Sequence, residues 1–132
     1  GANGLQTELT VLHDELVVQR EFSYPALVRL KCLTPARLFG LPGKGTLETG
    51  TDADIVVFDP TKTKTITADD NASVADYTLY EGREVTGTVE TVLVLGEPVV
   101  QNCDLVGSPG YGQFVERAVP TWDPTGPAGR TN

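Results

Sequence analysis

Residues 55–58, Ile-Val-Val-Phe, form an unbroken β-branched and aromatic run inside Gly43-Lys-Gly-Thr-Leu-Glu-Thr-Gly-Thr-Asp-Ala-Asp-Ile-Val-Val-Phe-Asp-Pro60. A run of this kind predicts a strand covered on both faces. Residues 45–48 predict a second strand, joined to residues 53–59 by a turn through Thr49, Gly50, Thr51 and Asp52. Gly50 can take the positive φ such a turn often needs. Pro60 has no N–H for a sheet ladder and predicts the strand's end. The chain is organised around this buried pair, which carries no evident chemistry.

Upstream the pattern is helical. Leu5, Leu9, Leu12 and Leu16 recur at spacings of three and four, predicting a helix over residues 5–18 with Thr7 as its cap. His13, beside Asp14 and Glu15, reads as a solvated surface histidine. Ser23 predicts the N-cap of a second helix, with Pro25 in its first turn. Leu27, Val28, Leu30 and Leu33 supply its apolar face, and Arg29 and Lys31 turn outward. Thr34-Pro35 repeats the cap-plus-proline signal for a short third helix, ended by Gly40.

Downstream, residues 62–67 read as a short edge strand and residues 68–79 as a polar loop. Residues 90–95 predict a strong strand, with Gly96-Glu97 as a Gly-first hairpin turn into residues 98–101. A turn at Asn102, Cys103 and Asp104 leads to Leu105-Val106. The fold class is therefore α+β: helices over 1–42, antiparallel or mixed strands over 43–106, and an extended tail over 107–132, disordered at its end.

Composition closes several routes to function. The net charge of −8 argues against nucleic acid or an anionic membrane as partner. No apolar run approaches the roughly 20 residues of a membrane span, and no basic-then-apolar start marks a signal peptide. Cys32 and Cys103, without CxxC spacing, suit unpaired thiols in a cytoplasmic protein. With one histidine, the chain gathers neither a metal-ligand set nor a Ser-His-Asp or Cys-His arrangement. Asp69-Asp70 reads as a solvated acidic pair. The Gly-rich 108–112 does not lead from a strand into a helix, so it is no phosphate cradle. No catalytic residue and no metal ligand is expected here.

Four ordered blocks resemble the late part of the cyclic amidohydrolases of the dihydropyrimidinase/hydantoinase type. Thr34-Pro-Ala-Arg-Leu-Phe-Gly-Leu41 is similar to "NPAkiFGL", and the stretch from Lys44 to Asp59 to "KGtI-x-x-G-x-DADivv-x-d". Asp76-Tyr-Thr-Leu-Tyr-Glu-Gly-Arg-Glu-Val-Thr-Gly87 resembles "D-y-x-x-yEG-x-x-v-tG". Leu105-Val-Gly-Ser-Pro-Gly-Tyr-Gly-Gln-Phe-Val-Glu-Arg117 resembles "l-v-G-x-p-g-x-G-r-F-x-x-R". Gln6 stands for the usual Glu, Thr34 for Asn, and Leu95-Gly96 for Arg-Gly.

The resemblance implies a C-terminal segment of a hydrolase whose TIM barrel holds two zinc ions and a carbamylated lysine. Residues 5–41 would be the last barrel helices. Residues 43–106 would be part of a composite β-sandwich. Residues 107–120 would be a tail that packs on a neighbouring subunit. Partners would be the remainder of the amidohydrolase barrel or homologous subunits, in a homo-oligomer. All the metal motifs precede the matched region, so the segment alone is expected to be silent. An Asn-Gly of the family touches the substrate ring through its backbone. Aligned without gaps, residues 1–9 match "G-x-P-G-x-E-t-r-L" and that Asn lies just outside the chain; with a short deletion, Asn3-Gly4 is the pair. The ungapped alignment is preferred. The alternative function is a non-catalytic dihydropyrimidinase-like interaction or oligomerisation module. A weaker third reading is a self-sufficient β-domain for an unrelated ligand.

Overall fold

A computed structural model describes residues 3–120. Three short helical pieces lead into one four-stranded antiparallel sheet, an α+β arrangement. Helix α1 (Glu8–Leu12) runs into a π-helical turn (His13–Val18), and α2 (Tyr24–Val28) into another (Arg29–Leu33) that continues as α3 (Thr34–Leu38). The sheet is a meander of β1 (Ile55–Thr65), β2 (Glu84–Val94), β3 (Glu97–Gln101) and β4 (Asp104–Leu105). Every described pairing is antiparallel.

The local signals hold where they are self-contained. Ser23 caps α2, its Oγ accepting from the Ala26 N–H, with Pro25 in the first turn. Gly40 closes α3 at φ +63°, and the Leu41 N–H returns to the Ala36 carbonyl at 2.8 Å. A side chain at Gly40 would also strike the Ala118 carbonyl, because the tail returns there through an Ala118 N–H to Gly40 C=O bond of 2.7 Å. Residues 107–120 are irregular, and the end of the expected tail, residues 121–132, lies outside the described residues.

Thr7 precedes α1 but its hydroxyl makes no cap; it donates to the Gly4 carbonyl instead. Thr34 lies inside the continuous helical path, so Leu33, not Thr34, occupies the cap position. The leucine stripe is not the buried face of α1: Leu5 is exposed, while Thr7, Thr10, Val11, His13 and Asp14 are buried. Of the second helix's expected face only Leu27 is buried. Lys31 turns not to solvent but to Glu8 on α1, at 2.5 Å.

Residues 45–48 form no strand; they belong to the loop leading into β1. β1 is not stopped by Pro60. The ladder to β2 slips between Asp59 and Thr63, and Asp59 Oδ1 accepts from the Thr61 N–H, the Thr61 hydroxyl and the Lys62 N–H. The carboxylate replaces ladder partners at a bulge, which is how a strand passes through proline. β1 is an edge strand, as its lysines suggested, but Val56 and Val57 are each 47% exposed, so the run is not covered on both faces. β2 begins at Glu84, six residues before the expected start at residue 90. The hairpin turn lies at Leu95-Gly96, both with positive φ, between the pair Val94 and Glu97. It is one residue earlier than the Gly-first reading, and of the primed kind suited to strand twist. The core of Val11, Ile66 and Val85, flanked by Tyr80, joins α1 to the sheet.

Candidate functional site

The most developed polar site is the junction of α1's π turn with β2. His13, 1% exposed, is no surface histidine. Its Nδ1 lies 2.7 Å from the Thr86 carbonyl and its Nε2 3.2 Å from the Tyr24 hydroxyl. A carbonyl can only accept, so Nδ1 carries a proton and donates to Thr86. Asp14 Oδ1 accepts the Thr86 N–H at 3.2 Å. Two consecutive side chains thus satisfy both backbone groups of one strand residue. Thr86 faces Thr63 across the ladder, and its polar groups point away from β1, to the helix that stands where a further strand would pair.

Charge reinforces this dock. Arg83 donates from the same nitrogen to Asp14 Oδ2 and Glu15 Oε2, each at 3.1 Å, and Arg20 donates to Glu15 Oε1. Hydrogen bonds from Arg20 and then Arg83 hold the Glu15 carboxyl below its ordinary range. The His13 ring stands 4.8 Å from that of Phe58 and 5.8 Å from that of Tyr24. Gly87, the residue after Thr86, lets the His13 and Phe58 rings approach the strand. Both His13 nitrogens are committed, and no group of three His, Cys, Asp or Glu among the described residues is placed to hold a metal ion. The described residues do not fit a zinc site.

Asn3 and Gly4 sit elsewhere. The Asn3 Nδ2 donates to the Tyr77 carbonyl, tying residue 3 to the polar loop 68–79. Asn3 Oδ1 and, in that loop, Asn71 Nδ2 are buried without a hydrogen-bond partner among the described residues. Gly4 is open: a Cβ there would meet nothing within 4 Å. Asp70 of the acidic pair accepts from the Thr67 hydroxyl at 2.7 Å. Cys32 and Cys103 are free and exposed.

Between the helices and β1 lies an apolar groove of about 570 Å³, lined by Leu27, Pro35, Leu41, Ile55, Val56 and Phe58 among others. Lys44 stands in its lining, paired with Asp52 at 2.8 Å and with Asp54. Asp54 also accepts the Leu95 N–H at 2.9 Å, so the Asp-Ala-Asp stretch ties the loop before β1 to the β2–β3 hairpin. No helix among the described residues is long and apolar enough to cross a membrane.

The model of the amidohydrolase family matches residues 1–99. The chain belongs to the amidohydrolase family. This amidohydrolase chain is 44% identical over 119 residues to a D-hydantoinase of Streptomyces coelicolor, covering 89% of the chain and 25% of the relative. Among solved structures, it superposes on a dihydropyrimidinase from Brevibacillus agri with TM-score 0.80 at 40% identity, covering 83% of the chain and 24% of that structure. It matches an L-hydantoinase (dihydropyrimidinase) from Arthrobacter aurescens with TM-score 0.84 at 36% identity, over 89% and 26% respectively. The chain therefore spans about a quarter of the length of these relatives. His13 and Asp14 gave no sequence signal of their own importance, since their partner Thr86 lies 73 and 72 residues away.

Proposed function

We propose that this chain is the C-terminal segment of a dihydropyrimidinase- or hydantoinase-type enzyme that hydrolyses the C–N bond of a cyclic amide. Water's oxygen adds to the ring carbonyl carbon, the C–N bond breaks, and the departing nitrogen takes a proton. The observation that carries this reading is the identity to hydantoinases over nearly the whole chain, at a quarter of their length. In this reading two zinc ions and a carbamylated lysine lie in the remaining barrel, where the metals polarise the carbonyl and activate water. None of the residues described here is assigned a step in that chemistry.

The segment's part is architectural. Residues 5–41 end the barrel, residues 43–106 supply part of a β-sandwich, and residues 107–120 dock on a neighbouring subunit of a homo-oligomer. The half-exposed valines of β1, its unpaired outer edge and the 90% exposed Phe114 support a role among partners rather than alone. A cytoplasmic location belongs to the same reading.

The test is to obtain the coding sequence around this segment, express the full protein, and follow ring opening of hydantoin and dihydrouracil with and without a chelator. Chelator-sensitive opening of either ring supports the enzyme, and the isolated 132-residue chain should be silent. Turnover by the isolated chain would overturn the division of labour. Upstream sequence lacking a His-x-His pair and a lysine followed by metal-site histidines would replace the enzyme by a non-catalytic assembly module.

A further inference from the structure

We infer that Asn3 is a site of spontaneous deamidation, and that its conversion releases residues 3–7 from the polar loop 68–79. The asparagines among the described residues are Asn3, Asn71 and Asn102. Deamidation uses the backbone nitrogen of the following residue as its nucleophile, so the state of that N–H decides which of them reacts. The Ala72 N–H is committed to Gln6 Oε1 at 2.7 Å, and the Cys103 N–H to the Glu90 carbonyl at 3.1 Å. Gly4 differs. It is held by its carbonyl, which accepts from the Thr7 hydroxyl at 3.3 Å, while its N–H makes no hydrogen bond among the described residues. Gly4 also has no Cβ to crowd the attack. Packing does not require glycine here, since an added Cβ would meet nothing within 4 Å.

The step needs only water. The Gly4 nitrogen gives its proton to hydroxide and bonds to Asn3 Cγ. The Cγ–Nδ2 bond then breaks, and the nitrogen leaves as ammonia with a proton from water. Water opens the remaining five-membered imide at either carbonyl, giving aspartate or isoaspartate. One water is consumed and one ammonia released.

Conversion removes the Nδ2 donor that ties residue 3 to the Tyr77 carbonyl. A carboxylate only accepts, as does that carbonyl, so no bond replaces the lost one. Asn3 Oδ1 is already buried without a partner among the described residues, and a charge there adds desolvation to the loss. Loop 68–79 itself carries Asp69, Asp70 and Asp76. Gln6 is then left to hold the segment, through its bonds to the Asp70 carbonyl and the Ala72 N–H.

The experiment holds the full protein at mildly alkaline pH and follows each asparagine by peptide mapping, where every conversion adds one mass unit. Asn3 should convert severalfold faster than Asn71 and Asn102. Gly4→Ala should slow it severalfold without moving the urea midpoint. Asn3→Asp, made directly, should speed hydrogen exchange at the Ala72 amide severalfold as the segment lifts. Conversion of Asn3 no faster than that of Asn71 and Asn102, or at an unchanged rate in Gly4→Ala, would overturn the site. Full protection of Ala72 in Asn3→Asp would overturn the release. Neither readout depends on ring-opening activity.

Discussion

Replacing Gly87 with alanine tests the packing of helix on strand more sharply than any other single change. Gly87 sits at φ +112°, and an added Cβ would lie 2.6 Å from His13 Nδ1 and 2.7 Å from Phe58 Cε1. Two costs add. A non-glycine residue in this region of φ costs about 1–3 kcal/mol. Crowding two rings already 4.8 Å apart costs a further roughly 1–3 kcal/mol. Gly50→Ala isolates the first cost, because Gly50 has φ +96° and nothing within 4 Å of a Cβ. Urea unfolding of the purified protein, followed by circular dichroism, should therefore show Gly87→Ala losing about 1–3 kcal/mol more than Gly50→Ala. Equal losses would refute the claim that the His13 and Phe58 rings press on the strand at this point.

His13→Phe keeps a ring but leaves the Thr86 carbonyl unpaired, and should cost about 1–3 kcal/mol in the same urea assay; an unchanged midpoint would mean the bond is replaced at no cost. The hydrogen bond from Lys44 chiefly holds the Asp54 carboxyl below its ordinary range, and the bonds Lys44 donates to Asp52 and then Asp54 hold its ammonium above its own. A depressed carboxyl stabilises the fold above its unfolded pKa and loses that contribution as pH falls below about 4. A raised amine contributes fully below its unfolded pKa and fades only above about pH 10. Lys44→Met should thus flatten both limbs of a stability–pH profile and cost about 1 kcal/mol or less at neutral pH; unflattened limbs would dismiss the pairing. Light scattering on the isolated chain should find self-association through Val56, Val57 and the β1 edge; a folded monomer would instead favour a self-contained domain.

Legibility tracked the range of the interaction. Ser23 and Gly40 were readable because a cap is completed within a few residues. The hairpin was readable to within one residue, since Leu95 adopts a positive φ that its side chain does not advertise. The first half of β2 was not, because Gly87 interrupts its pattern for a reason located in the π turn after α1 and in β1. Pro60 misled for the opposite reason: its rule is sound, but Asp59 supplies the local substitute that lets the strand continue. His13 sat among acidic neighbours and read as solvated, yet its burial depends on Thr86, to which nothing periodic points. Asn3 and Gly4 were legible only through resemblance; the tie of Asn3 to loop 68–79 needed the fold.

The double grip of His13 and Asp14 on Thr86 sets a limit on how this sheet can change over evolutionary time. β3 pairs along β2 only from Val94 down to Thr91, and the helix already occupies that edge at Thr86. Lengthening the β3–β4 hairpin along β2 would have to evict the helix and strand a buried imidazole and carboxylate together. Insertions at the Asn102-Cys103 turn should therefore grow outward, away from β2, and leave the strand order untouched.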